Sequence, residues 1–410
     1  MTAALPTASA AAAFARPAVR EDFGPHADAV ARVAAELAAT AAERDRAGGT
    51  ALAQRQLLRA SGLLTLAVPR AFGGPEAPWP LILHIVRRFA AADSSLAHLF
   101  GFQHLQVAGV ILFGSPAQQQ RYLREGTVEQ GWFWGNAVNG RDPRLQATRT
   151  EAGWQLDGVK SFCSGAADSD VLSVSVSTGD APTDRIFAIV PTHREGVAVN
   201  DDWDNLGQRQ TDSGTVRFDR VQVAADEVLR PPGVASSPRA TLRNLIGQLV
   251  LTEIYLGNAQ GALDEALAWL ATEARAWPGA GVERPQDDPL LLLRAGELWL
   301  QLRAAVASAD LALADFQAAW NAGLALTWEQ RGELAIAIAA ARVQAARTAL
   351  HVTAQIFELT GARSTARRHG FDRYWRNVRV HTLHDPVDYR AKGIGRWLAT
   401  GQAPEPYGYG

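Results

Sequence analysis

The chain has 410 residues, 47% of them hydrophobic and 20% charged, which suits a globular protein of two or three domains. A formal net charge of -2 argues against nucleic acid or an anionic membrane as partner, since both call for a basic surface. The single cysteine, Cys163, excludes an internal disulfide and a metal centre built from cysteines.

The first residues, 1–22, are rich in Ala, Ser and Pro, with no basic stretch ahead of an apolar one. They read as a mobile tail rather than a signal peptide. No uncharged apolar run reaches the roughly 18 residues of a membrane span, so a cytoplasmic protein is expected. From Asp28 to Ala60 apolar residues recur at helical spacing, broken at Gly48-Gly49. Gly62, Pro69 and Gly73-Gly74 then force an irregular loop. Further helices are expected from about Trp79 to Phe89 and from about Ser95 to Phe113, the second capped by Asp93 or Ser94.

Between about Glu129 and Leu229 the pattern changes to short strands: GWQLDGVKSF, VLSVSVST, RIFAIVP and GTVRFDRVQV. Asp157-Gly158 reads as a hairpin turn, and the whole as a small barrel or sandwich. Long Ala- and Leu-rich helices follow: Leu242 to Ala276, Pro289 to Gly323 and Thr327 to Leu359. A last helix is expected at Pro386, with Asp385 as its N-cap. The fold class is therefore α+β. Residues 23–128 form a helical domain, 129–236 a β domain, and 237–410 a four-helix bundle with faces left over for other subunits. Gly279-Ala280-Gly281 follows a helix and lacks a third glycine, so it is no dinucleotide loop.

Several runs resemble the acyl-CoA dehydrogenase superfamily over nearly the whole chain: SGLLTLAVPRAFGGP, LDGVKSFCSGAADSD, LGQRQTDSGTVRFDRVQV and AQIFELTGARS. Longer strings, ERDRAGG, DDWDNLGQRQTDSG and GFDRYWRNVRVHTLHDPVDY, resemble its flavin-dependent monooxygenase branch, in particular the monooxygenases of dibenzothiophene. The resemblance implies an N-terminal helical domain, a central β domain and a C-terminal helical bundle.

It also implies site residues. By their own pattern, Phe162 is a strand residue and Ser164 a strand end; the resemblance lays Phe162 against a flavin and brings the Ser164 hydroxyl to flavin N5. Asn136 is by itself a turn residue after Gly135; by resemblance it flanks the flavin or the substrate. Arg275 and Arg363 are the phosphate candidates, acting across a subunit interface. Where the dehydrogenases carry a Glu base, the loop reads TLHDPVDY, with His384 at or beside that place. A carboxylate base is thus missing unless Asp385 serves. His381 and His384 are spaced like metal ligands but have no third partner in any recognisable pattern. His98 matches a pocket histidine; alone on a helix it would read as a core residue. Phe102 departs from the branch, which has a Tyr there. A pocket of Phe102, Phe133, Trp134 and Phe162 would suit an apolar substrate.

The function implied is a two-component monooxygenase. A separate NADH-dependent reductase supplies reduced FMN, with FAD as the other possible flavin. Oxygen passes to an apolar, dibenzothiophene-like sulfur compound, giving sulfoxide and then sulfone. His384 would handle the proton, assisted by His98, because imidazole titrates near neutrality. The assembly would be a homotetramer. The alternatives are an FAD-dependent acyl-CoA dehydrogenase and a monooxygenase acting on nitrogen or carbon.

Overall fold

The computed structural model describes residues 21–180, 184–230 and 236–406. The expected N-terminal tail, apart from its last two residues, lies outside them. The chain opens with α1 (Ala27–Ala47) and α2 (Leu52–Ala60), separated at the two glycines. Helices α3 (Trp79–Ala92) and α4 (Ser94–Phe113) follow. Asp93 is the cap of α4, its carboxylate accepting from the Ser95 and Leu96 amides. A short α5 (Pro116–Gln119) then runs into a π-helical segment, Gln120–Glu129.

The middle of the chain is one eight-stranded sheet: β1 (Trp134–Ala137), β2 (Gln146–Arg149), β3 (Gly153–Lys160), β4 (Val171–Ser177), β5 (Arg185–Pro191), β6 (Val197–Val199), β7 (Val216–Ala224) and β8 (Val228–Arg230). Strands run β6-β7-β3-β2-β4-β5-β8, with β1 parallel to β4. Its own apolar core includes Leu156, Cys163, Val174, Ile186 and Phe218.

Asp157-Gly158 is not a hairpin turn. Strand β3 runs straight through it, and the pairing with β7 slips one residue there. The extra residue belongs to β7: Arg220 turns left-handed (φ 49°) and donates its amide to Asp157 Oδ1 at 2.8 Å. A turn-forming dipeptide in sequence is here the partner of a bulge.

The C-terminal part comprises α6 (Leu242–Thr272), α7 (Pro289–Ala322), α8 (Trp328–Thr360), α9 (Asp372–Thr382) and α10 (Val387–Thr400). Sequence periodicity missed α9, whose 11 residues are dense in charge. Asp385 is not the cap of the last helix; Pro386 holds that position without a side-chain bond. Asp385 is buried instead and binds Arg342 and Arg390. A single apolar core joins α1, α3 and α4 to α6–α9, so the two helical parts of the chain share one interior.

The sequence expectation about membrane spans needs correcting at α4. By length and composition this helix qualifies as a span, yet it is mostly buried between other helices. Its His and Gln residues break the apolar run in sequence without breaking the helix.

Candidate active site

The loop after β3 is forced into an unusual shape. Phe162 is left-handed (φ 58°), a costly backbone for a bulky residue. The following residues hold it there: Cys163 N donates to Gly214 O at 3.0 Å and Gly165 N to Thr211 O at 2.9 Å. Cys163 turns inward and is fully buried, while Phe162 is thrown outward and is 58% exposed. The Phe162 ring meets Trp203 edge to face at 5.9 Å. Leu206, on the same segment as Trp203, is also exposed.

Beside Phe162 lies a chain of hydroxyls. Ser164 Oγ is 2.7 Å from Ser213 Oγ, which donates to Thr211 Oγ1 at 2.7 Å. Thr211 donates to Gln208 O at 2.9 Å, and Gln208 N donates to Asn377 Oδ1 on α9 at 2.7 Å. A flat apolar ledge edged with fixed hydroxyls is what an isoalloxazine ring requires of a protein. These residues therefore fit a flavin.

Asn136 on β1 is buried, and its backbone N–H donates to Ser164 O at 2.9 Å. Its Oδ1 accepts from Gln106 Nε2 at 3.0 Å. Behind this loop Gly165 packs near Leu99 of α4, where a Cβ would come within 3.2 Å of that side chain.

On α4 the imidazole of His98 stacks on Phe102 at 4.0 Å and tilts toward His381 at 4.9 Å. His98 is 6% exposed, yet neither ring nitrogen has a hydrogen-bond partner. His381 Nδ1 is likewise unsatisfied. Buried polar atoms left in this state point to a ligand or water that completes them. Burial, reinforced by His384, pushes His98 down to about 3. Burial, then His98, His384 and Arg342, hold His381 well below its ordinary value. Both rings are therefore neutral at physiological pH and can offer hydrogen bonds without charge.

His384 is half-exposed on its loop, with Nδ1 3.4 Å from Asp385 Oδ1. Tyr255 OH donates to His381 O at 3.0 Å and steadies the same turn. Burial pushes the Asp385 carboxyl up, but His384, Arg342 and Arg390 outweigh it and hold the group well below the carboxylate range. A carboxylate clamped by two guanidiniums is a poor proton acceptor, so Asp385 does not supply the missing base.

The structure thus gathers His98, Phe102, His381 and His384 around α4 and α9, and Asn136, Phe162 and Ser164 around the β loop. Phe133 and Trp134 join neither group. Phe133 is fully buried beneath the Arg55 and Arg59 guanidiniums, and the Trp134 indole donates to Thr127 Oγ1 at 3.0 Å inside the core. They support the loop and do not line its surface. Arg275 and Arg363 are exposed and join neither group, the Arg363 guanidinium donating to the Glu273 carbonyl. Among the described residues no group of three or more His, Cys, Asp or Glu side chains is placed to hold a metal. Sequence reasoning missed Trp203, Ser213, Gln106 and the Asp385 clamp, whose partners come from distant segments.

Fold and site together define an acyl-CoA dehydrogenase-type flavoprotein, and the family comparison agrees. The acyl-CoA dehydrogenase N-terminal, middle and C-terminal domains match residues 26–127, 136–221 and 249–389, and the chain belongs to that family. Within it the chain belongs to the flavin-dependent monooxygenase branch. It is 44% identical to the probable FMNH2-dependent monooxygenase SfnC of Pseudomonas putida, over 93% of this chain and 96% of that one. It is 45% identical to dibenzothiophene monooxygenase of Rhodococcus erythropolis, over 92% of this chain and 94% of that one. The solved structure of methanesulfinate monooxygenase MsuC from Pseudomonas fluorescens superposes with a TM-score of 0.91 at 43% identity, covering 94% of this chain and all of that one.

Proposed function

We propose that the protein is the oxygenase component of a two-component system that oxidises an organosulfur compound with reduced FMN and oxygen. The observation that carries this reading is the pair of unsatisfied, neutral histidines, His98 and His381, close to His384, which the resemblance puts at or beside the Glu of the dehydrogenases. When bound, reduced flavin supplies the electrons and activates oxygen. The chain's own residues then place and protect. Phe162, edge to face with Trp203, would hold the flavin ring, and Ser164, backed by Ser213 and Thr211, would hold its N5 edge. His98 offers an N–H on one side and a lone pair on the other, and so fixes the reacting oxygen without charge. His384, open to solvent beside Asp385, moves the proton that leaves. Phe102 has no hydroxyl and keeps this wall of the pocket dry.

Arg275 and Arg363 hold the flavin phosphate, reached from a neighbouring subunit of a homotetramer. A separate NADH-dependent reductase supplies the flavin, and the protein works in the cytoplasm.

The test supplies a generic flavin reductase, FMN and oxygen, and scores a panel of sulfur compounds for added oxygen by mass. Sulfoxide or sulfone is expected. Bleaching of bound oxidised flavin by an acyl-CoA without oxygen would overturn the reading. His384→Ala should lower product by about 100-fold while released hydrogen peroxide rises. Unchanged product would remove His384 from its role.

A further inference from the structure

Most guanidiniums around the site have acidic partners: Arg44 has Asp93, Arg55 has Asp212, Arg342 and Arg390 share Asp385, and Arg373 has Glu265, while the buried Arg331 donates from Nε to Thr241 Oγ1 at 2.9 Å. Arg243, in the first turn of α6, differs. Among the described residues no carboxylate lies within 4.0 Å of its nitrogens. Its one hydrogen bond to protein runs from Nη2 to Gln106 Oε1 at 2.8 Å. Gln106 in turn donates to Asn136 Oδ1, and the backbone N–H of Asn136 binds the Ser164 carbonyl. The cation therefore stands at the end of a polar chain leading to the candidate flavin loop.

Its position on α4 sharpens this. His98, Phe102, Gln106 and Gly109 recur at helical spacing and share one face. Gly109 makes room for the guanidinium, since a Cβ there would sit 3.1 Å from Arg243 Nε. From His98 to Gln106 the helix rises about 12 Å, with the Phe102 ring between them. One face thus presents a neutral histidine at one end, an apolar wall, and an uncompensated cation at the other. The first turn of a long helix also favours an anion and disfavours a cation, so the local field adds to the imbalance. Arg243 is half-buried, and burial pushes it down to about 10.

We infer that Arg243, steadied by Gln106, is a specificity residue that receives an oxyanion of the substrate. The natural substrate is then a short organosulfur anion. Its carboxylate, sulfinate or sulfonate oxygens rest on Arg243, its carbon chain lies along Phe102, and its oxidisable sulfur faces His98. This deepens the proposed function and rests on it. A neutral fused aromatic leaves the guanidinium unpaired, which costs binding.

A matched pair of probes tests the idea: 3-(methylthio)propanoate and its neutral amide, which share one sulfur and one length. Dibenzothiophene serves as a second neutral probe. The wild-type protein should show kcat/KM at least tenfold higher for the carboxylate than for the amide. Arg243→Met should abolish that preference by lowering the carboxylate value, and should raise the values for both neutral probes, which no longer strand a guanidinium. Arg243→Lys should restore part of it. Arg243→Met should also keep or raise Tm, whereas an Arg with a purely structural role would lower it. Equal kcat/KM for carboxylate and amide in the wild type, or an equal fall for both in Arg243→Met, overturns the inference. Calorimetric binding of the carboxylate separates the two readings. If no sulfur probe is oxidised but the anion binds and loses affinity in Arg243→Met, the anion site stands and sulfur oxidation falls.

Discussion

At the scale of single residues the protein spends stability on neutral, buried histidines. His98, His104 and His381 are all buried, and burial holds His98 and His104 neutral down to about pH 3. In the unfolded chain each takes up a proton below its ordinary 6.5. Between those values the unfolded state binds more protons, so this stability is complete above pH 6.5 and drains away as pH falls toward 3. From pH 6.5 to 5 each such histidine removes about 2 kcal/mol. His104 packs edge-on against Phe100 and belongs to neither site cluster, which makes it the clean probe. His104→Leu should flatten the acid limb by that amount, read as unfolding free energy in urea at pH 7 and pH 5. Asp212, which burial pushes up to about 6, and Glu253, also raised, act in the opposite sense but equally in both proteins, so the difference isolates His104. Phe162 and Ser164 were visible in the sequence only through resemblance to a family, because their own pattern is that of an ordinary strand end. His98 and Phe102 were visible in the same way, and Gln106, one turn further along their face, carries no signal of its own. That Arg243 closes this face was not, since the residue comes from a helix more than a hundred positions away.

At the scale of elements, helical periodicity and breakers revealed most of the architecture, because apolar spacing states directly which face is buried. They failed where a local signal had two uses. Asp157-Gly158 can turn a hairpin or sit opposite a bulge, and Asp385 before a proline can cap a helix or anchor two arginines. Which use wins depends on Arg220, Arg342 and Arg390, partners that no local window contains. The crossing of α3 and α6 shows a tertiary constraint of the same kind. Gly257 and Gly261, one turn apart, bring α6 against the backbone of α3, where a Cβ would run into the Arg87 and Ala91 carbonyls. The Arg87–Glu253 ion pair, 2.6 Å long and buried, rivets the same crossing. Gly257→Ala should cost about 3 kcal/mol in chemical unfolding, since backbone must part from backbone. Gly296→Ala, on α7 with nothing within 4 Å of the added carbon, should be neutral or gain up to about 1 kcal/mol. Equal effects at the two sites would refute the close-approach account.

At the scale of the whole molecule, α7 carries an outer stripe that none of the described residues covers. Leu290, Leu293, Leu300 and Leu311 are each at least 60% exposed, at spacings that keep them in line. Such a row is the usual mark of an interface, and it supports the proposed assembly of identical subunits. Leu293→Glu combined with Leu300→Glu should shift the protein to smaller species in sedimentation velocity, with secondary structure unchanged. A sedimentation profile identical to wild type would remove α7 from the interface.

The buried helix α4 has a consequence for how the protein comes into being. Its covering partner α6 begins only at Leu242, so the whole β domain must be made first. At ribosomal speed that leaves α4 uncovered for on the order of ten seconds. During this interval a nascent segment with the length and apolarity of a membrane span is a natural target for insertion machinery and holdase chaperones. His98, Gln103, His104 and Gln106 interrupt its apolarity. Two of these, His98 and Gln106, belong to the face proposed for the site, so the same residues also lower the appeal of the unfinished chain to the bilayer.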